Sequence, residues 1–101
     1  MAEREHNKRN KAMTKIRNRK LKQALLDFVD HMETRLAQKE RESYAGWDED
    51  HPTTLQLLVK IKDDATVIGQ LRPYSSEVAR RLAIDIANRA MMIWFRAPIK
   101  N

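Results

Sequence analysis

No cysteine occurs in the sequence, so disulfide frameworks, thiolate zinc sites and cysteine nucleophiles are excluded together. Glycine is almost as scarce. With Gly46 and Gly69 alone, neither the glycine-rich dinucleotide fingerprint nor the P-loop pattern can be written, so neither type of phosphate cradle is present. No run approaches the roughly 18 consecutive apolar residues of a membrane span, and no apolar signal core opens the chain. No membrane partner and a cytoplasmic location are the expectations. A chain of 101 residues has room for one core. At this size folding buries only about two-thirds of the unfolded surface, so packing against a copy of itself would help and a homo-oligomer is expected.

What the sequence does have is positive charge, unevenly spread. Twenty Lys and Arg against 14 Asp and Glu give +6. Residues 1–22 hold nine basic side chains against Glu3 and Glu5, a net +7, which leaves the other 79 residues at −1. We therefore divide the chain into a basic N-terminal arm or helix extension, 1–22, and a helical domain, 23–101. Such an arm suits phosphate-backbone contact, although the aromatic interleaving of a specific nucleic-acid reader is missing.

Three segments carry helical periodicity. Leu21, Leu25, Phe28, Val29, Met32 and Leu36 recur at steps of three and four, and Met13 and Ile16 continue the stripe upstream, which predicts a long basic helix from about residue 10. Gly46 is expected to cap its end, and Pro52 to keep His51 out of helical geometry. Thr53 and Gln56 fit a capping box that opens a second helix, with Leu55, Leu58, Ile61, Ala65 and Ile68 as its inner stripe and Gly69 as its stop. A third helix follows Ser75 or Ser76 and runs to about Phe95. Its apolar residues, from Val78 and Leu82 to Trp94 and Phe95, cover more than half of a helical wheel, with Trp94 expected in the core. The narrow remaining sector holds Arg81, Asp85, Asn88, Arg89 and Arg96, with Met92 among them. The fold predicted is all-α, a compact bundle of three main helices with the third at its centre.

Two constellations could carry chemistry. Arg81, Asp85 and Arg89 are spaced by four, so the carboxylate can pair with either guanidinium in a salt-bridged surface. Alternatively the two guanidinium forks and Asn88 hold a phosphate, a geometry that arginine suits better than lysine does. In the second helix Asp63 and Asp64 follow Lys60 and Lys62, and adjacent acids point about 100° apart, so one of them faces inward. Asp64 and Asp85 are the cross-helix candidates for holding Mg²⁺, and solvated charges are the plain alternative. His6, His31 and His51 lack metal-ligand spacing, and Ser75 and Ser76 are better explained as helix caps than as nucleophiles. Trp47, in its loop, is the better candidate for stacking on a base.

Residues 42–94 resemble the small all-α nucleotide pyrophosphohydrolases of the MazG-like group. The likeness rests on Tyr44-Ala45-Gly46-Trp47, Leu55-Gln56-Leu57-Leu58, Asp63-Asp64 and the run from Ala83 to Ile93. The family sets an ExxE pair on one helix and an ExxD pair on the next to hold Mg²⁺ against a nucleoside triphosphate. Here Asp64, Asp85 and Asn88 match, while Val67 and Leu82 stand where two of the four acids should be. The resemblance thus implies a nucleotide pocket with crippled hydrolysis, in which Arg81 and Arg89 replace metal as phosphate partners, and Asn88, Lys60 and Trp47 join them as our candidate binding residues. Small helical phage proteins similar to this group sequester nucleotide signals of host defence, usually as oligomers. The expectation is non-catalytic binding of a phosphate-containing nucleotide, without a cofactor and, for a phage-encoded chain, in the host cytoplasm. Its rivals are a Mg²⁺-dependent pyrophosphohydrolase and a module that binds nucleic acid or protein through residues 1–22.

Overall fold

The computed structural model describes residues 15–42, 45–71 and 76–97, and no strand occurs among them. Helix α1 spans Arg19–Arg41. Asn18 caps it, its Oδ1 accepting a hydrogen bond from the Leu21 N–H at 2.9 Å. Residues 15–18 are not helical, so the expected start near residue 10 gives way to a start at Arg19. Lys and Arg are good helix formers, but propensity is a weak prior, and an asparagine whose side chain satisfies a free N–H sets the boundary. Residues 1–14, most of the basic arm, lie outside the described residues.

Helix α2, Thr54–Gln70, begins with the expected capping box. The Gln56 N–H donates to Thr53 Oγ1 at 3.1 Å, and the Thr53 N–H donates to Gln56 Oε1 at 2.8 Å. It runs one residue past Gly69. Helix α3 spans Ser76–Arg96, with Glu77 in its first turn and Arg96 in its last, both favourable to the helix dipole.

Gly46 does not cap α1, which ends on Glu42 instead. Its left-handed φ of +87° is used in the next turn, where its carbonyl accepts from the N–H groups of Glu49 and His51, each at 3.1 Å. The His51–Pro52 peptide is cis. A Cβ at position 46 would approach His51 Cβ to 3.0 Å. Gly46→Ala is therefore expected to lower stability by about 1–2 kcal/mol through the left-handed backbone and this approach, measurable as a lower urea midpoint at unchanged slope.

Helix α3 lies between the other two, which do not pack on each other. Arg96, at the end of α3, bonds to Trp47 and Pro52 just ahead of α2, so α2 runs opposite to α3. The end of α1 reaches the same end of the bundle, where Leu36 and Glu40 share a cleft with Met91 and Met92, while Met32 and Arg35 meet Asn88 and Asp85 of α3.

Which faces point inward differs from the wheel-based expectation. Leu57 is buried, while Leu55 and Leu58 are 70% and 49% exposed, so the inner stripe of α2 is Leu57, Ile61, Asp64 and Ile68. On α3 the buried residues are Leu82, Asn88 and Met92. Asp85, Arg89 and Arg96 are half-buried beside them, and of the stripe expected to face solvent only Arg81 does so. Trp94, expected in the core, is 75% exposed. The reason is complementarity. The polar sector of α3 turns inward because α1, α2 and the 45–52 loop present the charges and carbonyls that satisfy it. No helix among the described residues is long and apolar enough to cross a membrane.

Candidate functional site

The polar residues of α3 make contacts between elements and not along the helix. Asp85 Oδ1 accepts from Arg35 Nε of α1 at 3.0 Å, and Arg35 also donates to Gln38 Oε1 at 3.0 Å. On the opposite side Arg89 Nη1 donates to Asp64 Oδ2 of α2 at 2.5 Å. The expected pairing of Asp85 with Arg81 or Arg89 is thus replaced by one ion pair to each neighbouring helix. Asn88, 4% exposed, donates from Nδ2 to the Met32 carbonyl at 3.3 Å, while its Oδ1 is buried without a hydrogen-bond partner. Arg96 holds the 45–52 loop, donating from Nε to the Trp47 carbonyl and from Nη1 to the Pro52 carbonyl, both at 2.7 Å. Trp47 completes that end by packing on Phe95 with ring centroids 5.2 Å apart at a tilt of 48°.

These contacts bear directly on Mg²⁺. Asp63 is exposed and Asp64 turns inward, as adjacent helical acids must divide. Both inward carboxylates, Asp64 and Asp85, are already neutralised by guanidinium groups, and no group of three or more His, Cys, Asp or Glu able to hold a metal occurs among the described residues. A Mg²⁺ ion needs several oxygen ligands free of competing cations. The donor set present does not fit it.

Two clefts remain. The first, about 770 Å³, opens between the N-terminal half of α3 and the facing side of α1. It brings Arg80 and Arg81 of α3 together with His31 and Arg35 of α1 over an apolar surface of Ala24, Phe28, Ala83 and Ile84, and the carboxylates of Asp27 and Glu77 share the lining. Arg80 and Arg81 are exposed and in no ion pair among the described residues. The second, about 570 Å³, lies between the end of α1, the loop and Met91 and Met92, and its charged residues are Glu40 and Asp48. The first cleft sets three guanidiniums, one of them paired with Asp85, against two carboxylates, whereas the second carries carboxylates and no Lys or Arg.

The sequence-derived site residues are therefore dispersed. Arg81 lines the first cleft and Trp47 the second. Arg89 and Asn88 are interior contacts, and Lys60 is exposed on α2. Tyr44 lies outside the described residues, as does the side chain of Ser76. Sequence reasoning missed Phe28 and His31 as cleft residues, and it missed Arg35 and Arg80 as the cations around them. One signal was available: Arg35 interrupts the apolar stripe of α1 between Met32 and Leu36, a half-buried position that obliges a counter-ion on the facing helix. Comparison with protein-family models, with curated proteins and with solved structures finds no match for this chain.

Proposed function

We propose that this protein binds a phosphate-containing nucleotide in the cleft between α1 and α3 and retains it without hydrolysis. The observation that carries the reading is the meeting of Arg80 and Arg81, two exposed guanidiniums with no carboxylate partner among the described residues, with His31 and Phe28 in one cleft. Guanidinium forks match phosphate oxygens bidentately, and Phe28 supplies an aromatic face on which a base can stack. The volume, about 770 Å³, falls in the range of small-molecule sites. The resemblance of residues 42–94 to nucleotide pyrophosphohydrolases supports a nucleotide as the ligand class, while the positions that carry it, Asp64, Asp85 and Asn88, lie outside the lining of this cleft. Retention instead of turnover is favoured because Val67 and Leu82 replace two acids of that pattern and arginines occupy the two that remain. Sequestering a nucleotide signal is the biological role that fits a binder of this kind, and self-association accompanies it.

The test is to incubate the pure protein with mononucleotides, dinucleotides and cyclic oligonucleotides in Mg²⁺, filter, and chromatograph the filtrate before and after heat denaturation. One species should disappear from the filtrate and return intact on heating. The Arg80→Ala/Arg81→Ala variant should bind that species at least about 100-fold more weakly, since each hydrogen bond to a charged group contributes about 1.5–3 kcal/mol and at least two are lost. Unchanged affinity in the folded double variant, or an untouched pool, would overturn the proposal. Return of the ligand as a product would favour the hydrolase.

A further inference from the structure

The second cleft, between the end of α1, the 45–48 turn and Met91 and Met92 of α3, has no part in the nucleotide reading. Its volume, about 570 Å³, falls in the range of small-molecule sites. Leu36, Met91 and Met92 line it with apolar surface, Trp47 adds an indole, and Glu40 and Asp48 supply its charges. Met92 is 1% exposed, Leu36, Met91 and Trp47 are half-buried, and Glu40 and Asp48 are exposed, so the lining is apolar within and acidic where it meets solvent. Trp47 is fixed in place, its carbonyl accepting from Arg96 Nε at 2.7 Å and its ring packed on Phe95. A side chain already held costs less to order when a ligand arrives.

Charge and surface together select the occupant. The chain carries +6, so a cleft whose charged residues are carboxylates alone runs against its composition. Neither Glu40 nor Asp48 forms an ion pair among the described residues. Lys39 and Arg41 adjoin Glu40 in sequence but project about 100° to either side of it around α1, and neither lines the cleft. Arg96 directs its guanidinium to the Trp47 and Pro52 carbonyls. A phosphate is repelled by such a lining, and two carboxylates among thioethers and an indole cannot complete the oxygen shell of Mg²⁺. An organic cation meets no such obstacle. One ammonium answers one carboxylate, whereas two ammoniums joined by methylenes answer both and lay their chain on apolar surface. Methionines adapt to a flexible chain, and an indole face attracts a cation. We infer that the second cleft binds an aliphatic diamine or polyamine, with its ammonium groups at Glu40 and Asp48 and its methylenes along Leu36, Met91 and Trp47. This inference does not rest on the nucleotide reading.

The probe is cadaverine, a methylene chain with an ammonium at each end. Equilibrium dialysis measures its binding, and the Trp94→Phe variant, which removes the 75% exposed indole, leaves Trp47 as the sole tryptophan to report the place. Cadaverine should bind with a midpoint below about 1 mM and change the Trp47 fluorescence over the same range. Pentylamine, which has one ammonium, and the variants Glu40→Gln and Asp48→Asn should each lower affinity at least about fivefold, because each removes one contact between an ammonium and a carboxylate. Both substitutions are conservative and at exposed positions, and unchanged helical circular dichroism checks that they fold. Pentanediol, which has no charge, should not compete, and Arg80→Ala/Arg81→Ala should leave cadaverine binding unaltered. Absent binding, binding to which Trp47 is silent, equal affinity for pentylamine, displacement by equimolar Mg²⁺, or indifference to both carboxylate substitutions would each overturn the inference.

Discussion

Leu57→Ala is expected to lower the melting temperature by roughly 10–20 °C, while Leu55→Ala, two residues away on the same helix, should move it by less than about 4 °C. Leu57 is 1% exposed where α2 packs on α3, and Leu55 is 70% exposed. Truncating a fully buried leucine removes its transfer free energy and leaves a cavity, about 2–5 kcal/mol together. In this chain little can offset that loss, because the buried apolar residues among those described are Leu57, Leu82 and Met92. A chain of 101 residues has in all about 5–15 kcal/mol of stability, so one such loss is a large fraction of it. Calorimetric melts of the two variants decide the matter. Equal effects would mean that the inner stripe of α2 is the one running through Leu55 and Leu58.

The contrast between Leu55 and Leu57 marks the limit of what could be read before the fold was known. Existence and type of the helices were legible because their signals are local. Thr53 and Gln56 form the capping box wherever α2 points, and Gly46 takes a positive φ whatever lies beyond it. Orientation was not legible, because it depends on what another helix offers. Apolar residues occupy most of α3's circumference, so hydrophobicity alone cannot choose the inward side. The choice is made by Arg35, Asp64 and the Met32 carbonyl, none of which is on α3. Spacing allowed Asp85 to bond along its own helix, yet partners 50 residues away in sequence won it, as a half-buried carboxylate gains more from an interhelical guanidinium than from an exposed one. The same shift dispersed the candidate site. Arg89 and Asn88 went to the interior, and the phosphate reading moved to Arg80, Arg81 and the face of α1 opposite them.

The pair that took Arg89 out of the candidate site is also the second large effect expected. Asp64→Leu and Arg89→Leu should each destabilise the protein by about 2–4 kcal/mol, while Asp64→Leu/Arg89→Leu together should lose less than either alone. The two side chains are only 17% and 19% exposed, so removing one partner leaves the other charge largely out of water with no replacement within reach. Removing both takes away the desolvated charges themselves and puts apolar bulk between α2 and α3, where Leu57 and Met92 already pack. Urea titrations of the three variants at neutral pH give the coupling energy directly, and additive losses would show that the pair contributes nothing beyond its two members. Ligand retention separates structure from recognition in the same variants. If the phosphate rests on Arg80 and Arg81, the double leucine variant keeps its affinity for the nucleotide despite losing Arg89. If Arg89 is itself a phosphate ligand, affinity falls with Arg89→Leu and stays low when Asp64 is replaced as well. An arginine that holds two helices together is restored by removing its partner, whereas an arginine that holds a ligand is not.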